Sequence, residues 1–225
     1  MDKSAQMEKK FYMVFGKRWF DAACSLGGLI LFFPVLLIVA LAIKCSSRGP
    51  VFFRQVRLGA IGRPFRIWKF RTMAGNADGD GPLITADGDV RITWVGRWLR
   101  RSKIDELPQL LNVLAGEMSL VGPRPEVPMY SDAYTGSYRR ILLAKPGITG
   151  PAANCYLREE ELLASQPDKV NFYLTAILPR KLELDLKYCE EIRFVNDVNW
   201  ICFTFANLFE KCVVLRRPAL QKESK

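Results

Sequence analysis

Two adjacent carboxylates, Asp105 and Glu106, are the residues of this sequence best suited to chemistry. They come shortly before Pro108, a residue typical of the first turn of a helix, so both should lie near a helix N-terminus. Free N–H groups there stabilise negative charge and can hold phosphate oxygens, so we expect Asp105 to stay ionised and able to act as a nucleophile. Neighbouring carboxylates also suit Mg²⁺, which keeps several waters and bridges to substrate phosphates.

Helix capping is the structural alternative for this pair, because Ser102-x-x-Asp105 is itself a capping-box pattern. The surrounding sequence favours phosphate chemistry instead. Pro123 and Pro125 restrict the backbone of Arg124, which helps a guanidinium to meet phosphate, although a rigid turn with a solvated arginine is the alternative. The basic residues near the pair in the motifs are Lys69, Arg71, Arg100, Arg101 and Arg124. Together they predict a phosphoryl-transfer site.

Composition narrows the chemistry further. The 225 residues allow one domain with an appendage, and the net charge of +10 suits nucleic acid, phospholipid headgroups or a phosphorylated substrate. Histidine is absent from the sequence, which removes the usual neutral-pH base and most zinc sites, so catalysis must use carboxylates, Lys, Arg, Tyr or a hard metal ion. The cysteines have no CxxC or disulfide-framework spacing, and we expect them to be reduced: Cys24, Cys45, Cys155, Cys189, Cys202 and Cys212.

An uncharged apolar run extends over residues 22–43 and would form a helix of about 33 Å, enough to cross a bilayer. Pro34 should kink that helix. Basic residues flank both ends, so the charge asymmetry that orients a true span is missing from the sequence: Lys9, Lys10, Lys17 and Arg18 precede the run, and Lys44, Arg48, Arg54 and Arg57 follow it. We expect a re-entrant helix–break–helix within one leaflet; a simple span and a secretory signal are the alternatives.

Two further stretches have the pattern of interfacial amphipathic helices. Trp94 and Trp98 are four residues apart among arginines, and apolar residues recur at helical spacing between Phe194 and Phe209. A core-facing helix is the alternative for each stretch. Residues 51–57 and 65–70 predict two strands of a hairpin, joined by a turn that bears Gly59 and Gly62.

The predicted fold is α+β, mostly helical with a small β-hairpin. Residues 74–89 are rich in Gly and Asp and predict a surface loop, either plainly solvated or able to close over a ligand. The remaining predicted helices cover 92–101, 108–114 before Gly116, 159–165 and 179–192. The predicted organisation is an N-terminal membrane segment (1–47), a catalytic domain (48–215) and a basic tail (216–225).

Four segments, in order, carry a resemblance: PVFFRQVRLG, FRIWKFRTM, DVRITWVGRWLRRSKIDELPQLLNVLAGEMSLVGPRPE and KPGITG. From about Phe15 to Leu208 the chain resembles the bacterial sugar transferases, also called monotopic phosphoglycosyl transferases, in their minimal single-domain form. The resemblance implies transfer of a sugar 1-phosphate from a UDP-sugar to polyprenyl (undecaprenyl) phosphate. It also implies the cytoplasmic face of a bacterial inner membrane and the initiating step of surface glycan assembly.

The resemblance further implies a role for each matching residue. Asp105 would attack the sugar-bearing phosphate and expel UMP, and Glu106 would join it in holding Mg²⁺. Pro34 would be the break in the re-entrant helix. The phosphate and nucleotide pocket would include Lys69, Arg71, Arg100, Pro123, Arg124 and Pro125, and Asp197 matches a further functional aspartate.

After Gly150 the sequence departs from the family pattern, with PAANCYLREEE over residues 151–161. The resemblance therefore carries no sugar specificity and no pocket residue beyond Gly150. The competing interpretation is a non-catalytic basic membrane-surface protein that binds anionic lipid or a glycan-assembly partner. Nucleic-acid binding would use the charge but leave the apolar run without a purpose, so no nucleic acid is expected. A homodimer is compatible with the sequence.

Overall fold

The computed structural model describes residues 12–74 and 89–214. Helices make up most of this part of the chain and surround two small sheets, so the predicted α+β class is confirmed. The α-helices are α1 (Lys17–Ser46), α2 (Trp94–Ser102), α3 (Leu110–Ala115), α4 (Pro151–Cys155), α5 (Glu159–Ala164), α6 (Lys169–Phe172), α7 (Leu178–Glu190) and α8 (Phe194–Val214). The strands are β1 (Phe52–Leu58), β2 (Pro64–Phe70), β3 (Ser119–Val121) and β4 (Gly147–Thr149).

Helix α1 contains the predicted membrane segment. Among the described residues it is the one helix long and apolar enough to cross a membrane, with an 18-residue window of mean hydropathy 2.9 that is 11% buried. It runs as a single helix through Pro34, where the sequence predicts a division into two helices. A return of the chain into the same leaflet stays a prediction.

Both ends of α1 are fixed to the same folded body. Near its start, the guanidinium of Arg18 donates to the carbonyl oxygens of Val113 and Leu114 at 2.5 and 2.7 Å. Near its end, Val39 and Ile43 are buried in a cluster completed by Phe70, Val95 and Leu99. The middle of α1 is largely exposed, as at Ile30, Leu31, Phe33, Leu37 and Ile38.

The hairpin lies where the sequence predicts it. Strands β1 and β2 pair in antiparallel register, with Phe52 opposite Phe70 and Leu58 opposite Pro64. The turn closes through a hydrogen bond of 2.9 Å from the Gly59 amide to the Arg63 carbonyl. Gly62 has φ +68°, a conformation that favours glycine.

A second sheet, which the sequence analysis does not predict, pairs β3 with β4 in parallel. Three glycines let the backbones next to this sheet come close together. A Cβ on Gly147 would lie 2.1 Å from the Gly122 nitrogen, and one on Gly150 would lie 2.3 Å from the Gly122 oxygen. This contact fixes the start of the Pro-Arg-Pro segment that follows β3.

The predicted interfacial helices expose aromatic side chains. Trp94 and Trp98 are 75% and 55% exposed, whereas Val95 and Leu99 on the same helix are buried. Phe205 of α8 is 53% exposed. Helix α2 therefore faces the core with Val95 and Leu99, as the core-facing alternative predicts, and contact of the exposed aromatic side chains with lipid stays a prediction.

The predicted loop after β2 is described only at its two ends. Ala74 donates its amide to the Arg91 carbonyl at 2.9 Å, and Met73 forms an isolated bridge with Ile92. Most of the predicted loop (75–88), the basic residues Lys9 and Lys10, and the tail (216–225) lie outside the described residues.

Candidate active site

A short 3₁₀-helix, Ile104–Gln109, carries Asp105 and Glu106. The chain enters it through Lys103, whose φ of 58° is left-handed, and Pro108 lies inside it. The hydroxyl of Ser102 donates back to the carbonyls of the preceding helix, at 3.0 and 3.1 Å. The capping-box alternative is therefore wrong, and the two carboxylates are available for another use.

Glu106 is the negative centre of a buried ion-pair set. Its Oε1 accepts from Lys69 Nζ at 2.8 Å and from Arg124 Nη2 at 3.1 Å. Burial by itself would raise the pKa of Glu106, but the charges of Lys69 and Arg124 hold it well below its ordinary value. Glu106 is therefore ionised and fixes two cationic side chains at the site.

Asp105 lies in a different environment although it is the adjacent residue. It is buried, and its Oδ1 has no hydrogen-bond partner among the described residues. Burial first, and then the charge of Glu106, raise the pKa of Asp105, which opposes the stabilisation of the carboxylate expected near a helix N-terminus. A buried polar atom without a hydrogen bond lowers the stability of a native fold, so this oxygen indicates a group that binds a ligand.

The Pro-Arg-Pro segment is held from three sides. Asp185 Oδ2 accepts the Arg124 amide at 3.1 Å, the Pro123 carbonyl accepts the Gly147 amide at 2.8 Å, and the Pro125 carbonyl accepts from Arg57 at 3.1 Å. The predicted rigid backbone is confirmed. Because the guanidinium of Arg124 bonds Glu106, the alternative of a solvated arginine is wrong.

Two other predicted basic residues, Arg100 and Arg71, have different surroundings in the structure. Arg100 lines the cavity beside Asp105, and its guanidinium bonds Thr72 Oγ1 at 3.0 Å and Glu160 at 3.2 Å. Arg71 uses its terminal nitrogens on the carbonyls of Ser47 and Arg48, at 2.8 and 2.9 Å, and so anchors the end of α1. Phosphate binding by Arg71 stays a prediction.

Asp197 lies in a separate buried cluster. Its carboxylate accepts from the hydroxyls of Tyr12 and Tyr188, each at 2.7 Å, and from Lys17. These bonds join the beginning of the described chain, α7 and α8. Asp105 takes part in none of these bonds, and substrate binding by Asp197 stays a prediction.

A cavity of about 1000 Å³ joins the carboxylates to the apolar helices. Its polar wall includes Asp105, Glu106, Lys69, Arg100 and Arg124. Its apolar wall is formed by Phe20, Cys24, Gly28 and Phe32, which are four residues apart on α1, and by Val198, Ile201, Phe205 and Leu208 of α8. The cavity can therefore receive a ligand that is charged at one end and apolar at the other.

Sequence reasoning missed a further part of this cavity, beyond Arg124. Lys181, 3% exposed, lies 2.5 Å from Glu159 and 3.6 Å from Glu126. Glu126 belongs to the LVGPRPE segment and could have been singled out. Lys181 falls inside an ordinary helical pattern and gives no such signal.

The carboxylate pair fits Mg²⁺. In the part of the chain that the structure describes, no group of three potential metal-ligating side chains is found. Mg²⁺ needs only one or two protein carboxylates, because water and substrate phosphates complete its octahedron. The unpaired oxygen of Asp105, beside Glu106, is a suitable ligand of this kind.

Comparison with known proteins identifies the class to which this fold and site belong. The family model described as bacterial sugar transferase matches residues 12–211. The chain therefore belongs to the bacterial sugar transferase family.

Individual relatives narrow the comparison. A UDP-glucose:undecaprenyl-phosphate glucose-1-phosphate transferase of Klebsiella pneumoniae is 42% identical over 179 residues, which are 78% of this chain and 38% of the relative. A UDP-N-acetylgalactosamine-undecaprenyl-phosphate N-acetylgalactosaminephosphotransferase of Aeromonas hydrophila is 45% identical over 60% of this chain and 33% of its own length. The uncharacterized sugar transferase EpsL of Bacillus subtilis is 38% identical, with 84% of each chain covered. The chain thus spans about a third of the length of the first two relatives.

Proposed function

We propose that this protein transfers a sugar 1-phosphate from a UDP-sugar to polyprenyl (undecaprenyl) phosphate through a covalent intermediate on Asp105. The observation that carries the proposal is the buried Asp105 oxygen, without a partner among the described residues, beside the set of Lys69, Glu106 and Arg124. The names of the relatives, which pair UDP-sugars with undecaprenyl phosphate, support the same donor and acceptor.

In the first step, an Asp105 carboxylate oxygen attacks the sugar-bearing phosphorus of the donor. The bond from that phosphorus to the bridging oxygen breaks, UMP leaves with that oxygen, and an aspartyl phosphosugar remains. In this proposal Lys69, Arg100 and Arg124, which line the same cavity as Asp105, neutralise the phosphate charges. Asp105 and Glu106 would hold Mg²⁺, which supplies additional charge neutralisation at the phosphates.

In the second step, a phosphate oxygen of the polyprenyl acceptor attacks the same phosphorus. The bond to Asp105 breaks, the carboxylate is restored, and a polyprenyl diphosphate sugar is the product. The apolar wall formed by α1 and α8 is suited to the acceptor chain and the polar wall to its phosphate. One cavity could thus present each substrate to Asp105 in turn.

The arrangement of α1 supports a monotopic placement. A helix that crosses a membrane carries its two ends to opposite faces, whereas Arg18 and Ile43 both bind the same folded body. We therefore place the catalytic body on one side, the cytoplasmic face of the bacterial inner membrane, where UDP-sugars are available. Labelling of an N-terminal cysteine tag from outside intact cells would contradict this placement.

The decisive experiment uses the protein in nanodiscs with Mg²⁺ and a panel of UDP-sugars, without acceptor. We expect about one equivalent of UMP per active site and a phosphosugar adduct on Asp105, as in other covalent mechanisms. Asp105→Asn should give neither, whereas Asp132→Asn, an exposed aspartate changed in the same way, should match the wild type. A non-catalytic membrane-surface protein would release no UMP from any donor.

A further inference from the structure

Arg124 has three carboxylates in its surroundings, but it bonds only one of them. Its guanidinium donates to Glu106 at 3.1 Å. The charge of Glu106 is also the main cause of the raised pKa of Arg124, and the charges of Glu159 and Glu126 contribute in the same direction. Neither Glu159 nor Glu126 forms an ion pair with Arg124 in the described structure. Pairing with Glu106, the neighbour of Asp105 in the chain, thus depends on how Arg124 is oriented.

The end of β1 holds the carbonyl groups of the Pro-Arg-Pro segment and of the residue after it. Arg57 Nη1 donates to the Pro125 carbonyl at 3.1 Å. The Leu58 amide donates to the Glu126 carbonyl at 2.8 Å. Of the side chains that bond this segment, Arg57 lines the cavity, whereas Asp185 does not. Arg57 therefore joins the backbone of the segment to the wall of the candidate active site.

Arg57 is itself held in a fixed orientation. Its Nε and Nη2 both donate to Gln55 Oε1, at 3.1 and 2.6 Å. Gln55 lies two residues earlier in β1, and so on the same face of the strand. All three nitrogens of the Arg57 guanidinium are thus engaged, two with Gln55 and one with Pro125. A planar guanidinium can span two acceptors in this way, whereas the ammonium group of a lysine is a single point of charge.

The charge of Arg57 acts in the same direction as its hydrogen bonds. Burial lowers the pKa of Arg57; the charge of Glu126 opposes this shift, and the charge of Arg124 adds to it. Because two guanidinium groups repel each other, conformations of Arg124 that approach Arg57 are disfavoured. The positive charge of Arg57 also offsets the negative charge of Glu126, which weakens the attraction between Glu126 and Arg124. Both effects favour the pairing of Arg124 with Glu106.

We propose that Arg57, oriented by Gln55, is a positioning residue of the active site, which fixes Pro125 and thereby keeps the Arg124 guanidinium on Glu106. The proposal rests on the proposed function, in which Arg124 neutralises phosphate charge of the UDP-sugar. Arg57 need not touch the substrate for this role. Its effect on the reaction should pass through Arg124.

The first test measures the burst of UMP released by Arg57→Gln in nanodiscs with Mg²⁺, a UDP-sugar that the wild type uses, and no acceptor. The rate constant of the burst should fall about ten- to a hundredfold, because a small displacement of a group that acts on the reacting phosphate slows the reaction strongly. The amplitude should stay at about one equivalent of UMP per active site. A purely structural role would lower the amplitude, which counts the folded sites, and leave the rate constant unchanged.

A double-mutant cycle with Arg124→Gln tests whether Arg57 acts through Arg124. In protein that already carries Arg124→Gln, the further change Arg57→Gln should alter the rate constant by less than about twofold. Single-turnover measurements over long times give the slow rates that this comparison needs. If the two effects are additive, Arg57 acts independently of Arg124 and the inference is overturned.

Two further variants separate the hydrogen bonds of Arg57 from its charge. Arg57→Lys keeps the charge but cannot span Gln55 and the Pro125 carbonyl, so it should restore only part of the lost rate. Gln55→Met leaves the charge in place and removes the acceptor that orients Arg57. It should slow the burst about three- to tenfold, and this effect should also vanish beside Arg124→Gln. Gln55→Met carries the test if Arg57→Gln gives no folded protein.

The matched control is Arg63→Gln, the same substitution at an exposed arginine in the turn of the hairpin. Its burst should equal that of the wild type. A fully active Arg57→Lys, or unchanged rate constants in both Arg57→Gln and Gln55→Met, would overturn the inference while UMP release by the wild type upholds the proposed function. If the wild type releases no UMP from any donor, the proposed function itself fails.

Discussion

Asp105 and Asp197 are both buried aspartates in the first turn of a helix, yet their carboxylates are bonded very differently. Asp197 accepts hydrogen bonds from two tyrosine hydroxyls and forms an ion pair with Lys17. Asp105 borders a large cavity, and its Oδ1 finds no donor in the described part of the chain. Both residues are buried, but only the carboxylate of Asp197 has a hydrogen-bond partner on each oxygen.

This difference separates a structural aspartate from a candidate nucleophile. A fully bonded buried carboxylate holds elements together, and its removal leaves other buried polar groups unpaired. A buried carboxylate with an unpaired oxygen contributes little to stability and is free to react. The family resemblance implies a function for both residues. In our proposal Asp105 carries the chemistry, whereas the bonds of Asp197 hold parts of the fold together.

The largest expected effect is on catalysis in Asp105→Asn. Loss of the nucleophile should lower UMP release at least about a thousandfold. Thermal stability near neutral pH should stay equal or rise, because burial and the Glu106 charge already disfavour the ionised carboxylate that the amide replaces. Steady-state kinetics and thermal unfolding in the same detergent measure both quantities. A large loss of stability would remove the contrast with Asp197.

The opposite pattern is expected for Asp197→Ala. Removing this carboxylate leaves Lys17 and the hydroxyls of Tyr12 and Tyr188 without their shared acceptor, which should cost about 3–5 kcal/mol of stability. The KM for the UDP-sugar should stay within about threefold in the protein that folds. Asp197→Asn, which keeps an acceptor oxygen, is the milder control. A raised KM without loss of stability would restore Asp197 to the substrate site.

Asp185 stands between these two cases, because one oxygen accepts the Arg124 amide and the other is unpaired among the described residues. Burial raises the pKa of Asp185 to about 7. Between about pH 4 and pH 7 the folded protein therefore keeps a proton that the unfolded chain has lost, so stability falls as the pH rises through this window. The fall attributable to Asp185 should reach about 3 kcal/mol from pH 5 to pH 8.

Asp185→Asn should remove this part of the pH dependence, since the amide does not titrate and its oxygen can still accept from Arg124. Thermal unfolding at several pH values between about 5 and 8 measures the difference between the variant and the wild type. Asp132→Asn, at an exposed position, controls for loss of charge. Equal slopes in the wild type and Asp185→Asn would show that Asp185 does not titrate in this range.

The features that sequence predicted well are those fixed by local patterns. The alternating residues and the turn glycines define the β1–β2 hairpin, and Gly116, with φ +81°, ends α3 as expected. The grouping of Lys69, Glu106 and Arg124 is also confirmed, although these residues come from three different segments. Their charge and fixed backbone indicated a common site.

The features that sequence did not predict depend on distant contacts. Each strand of the β3–β4 pair has three residues, too few for a periodic pattern, and the strands meet only because glycines allow close backbone approach. The raised pKa of Asp105 was not predicted, because the sequence does not show that its helix is a short 3₁₀ turn in a buried wall, where desolvation opposes the helix terminus. The ion pairs of Lys181 likewise involve residues that are distant in the sequence, Glu126 and Glu159.

The smallest effect concerns Arg71, a cation whose role can be judged in the same way as the carboxylates. Its planar guanidinium bridges the carbonyls of Ser47 and Arg48, a geometry that lysine cannot reproduce. Arg71→Lys should therefore cost about 1–2 kcal/mol of stability and change the KM for the UDP-sugar by less than about threefold. Lys69→Met, which removes a partner of Glu106, should instead impair UMP release severely. A strong rise in KM for Arg71→Lys would support phosphate binding by Arg71, because a residue that only anchors α1 should not affect binding of the donor.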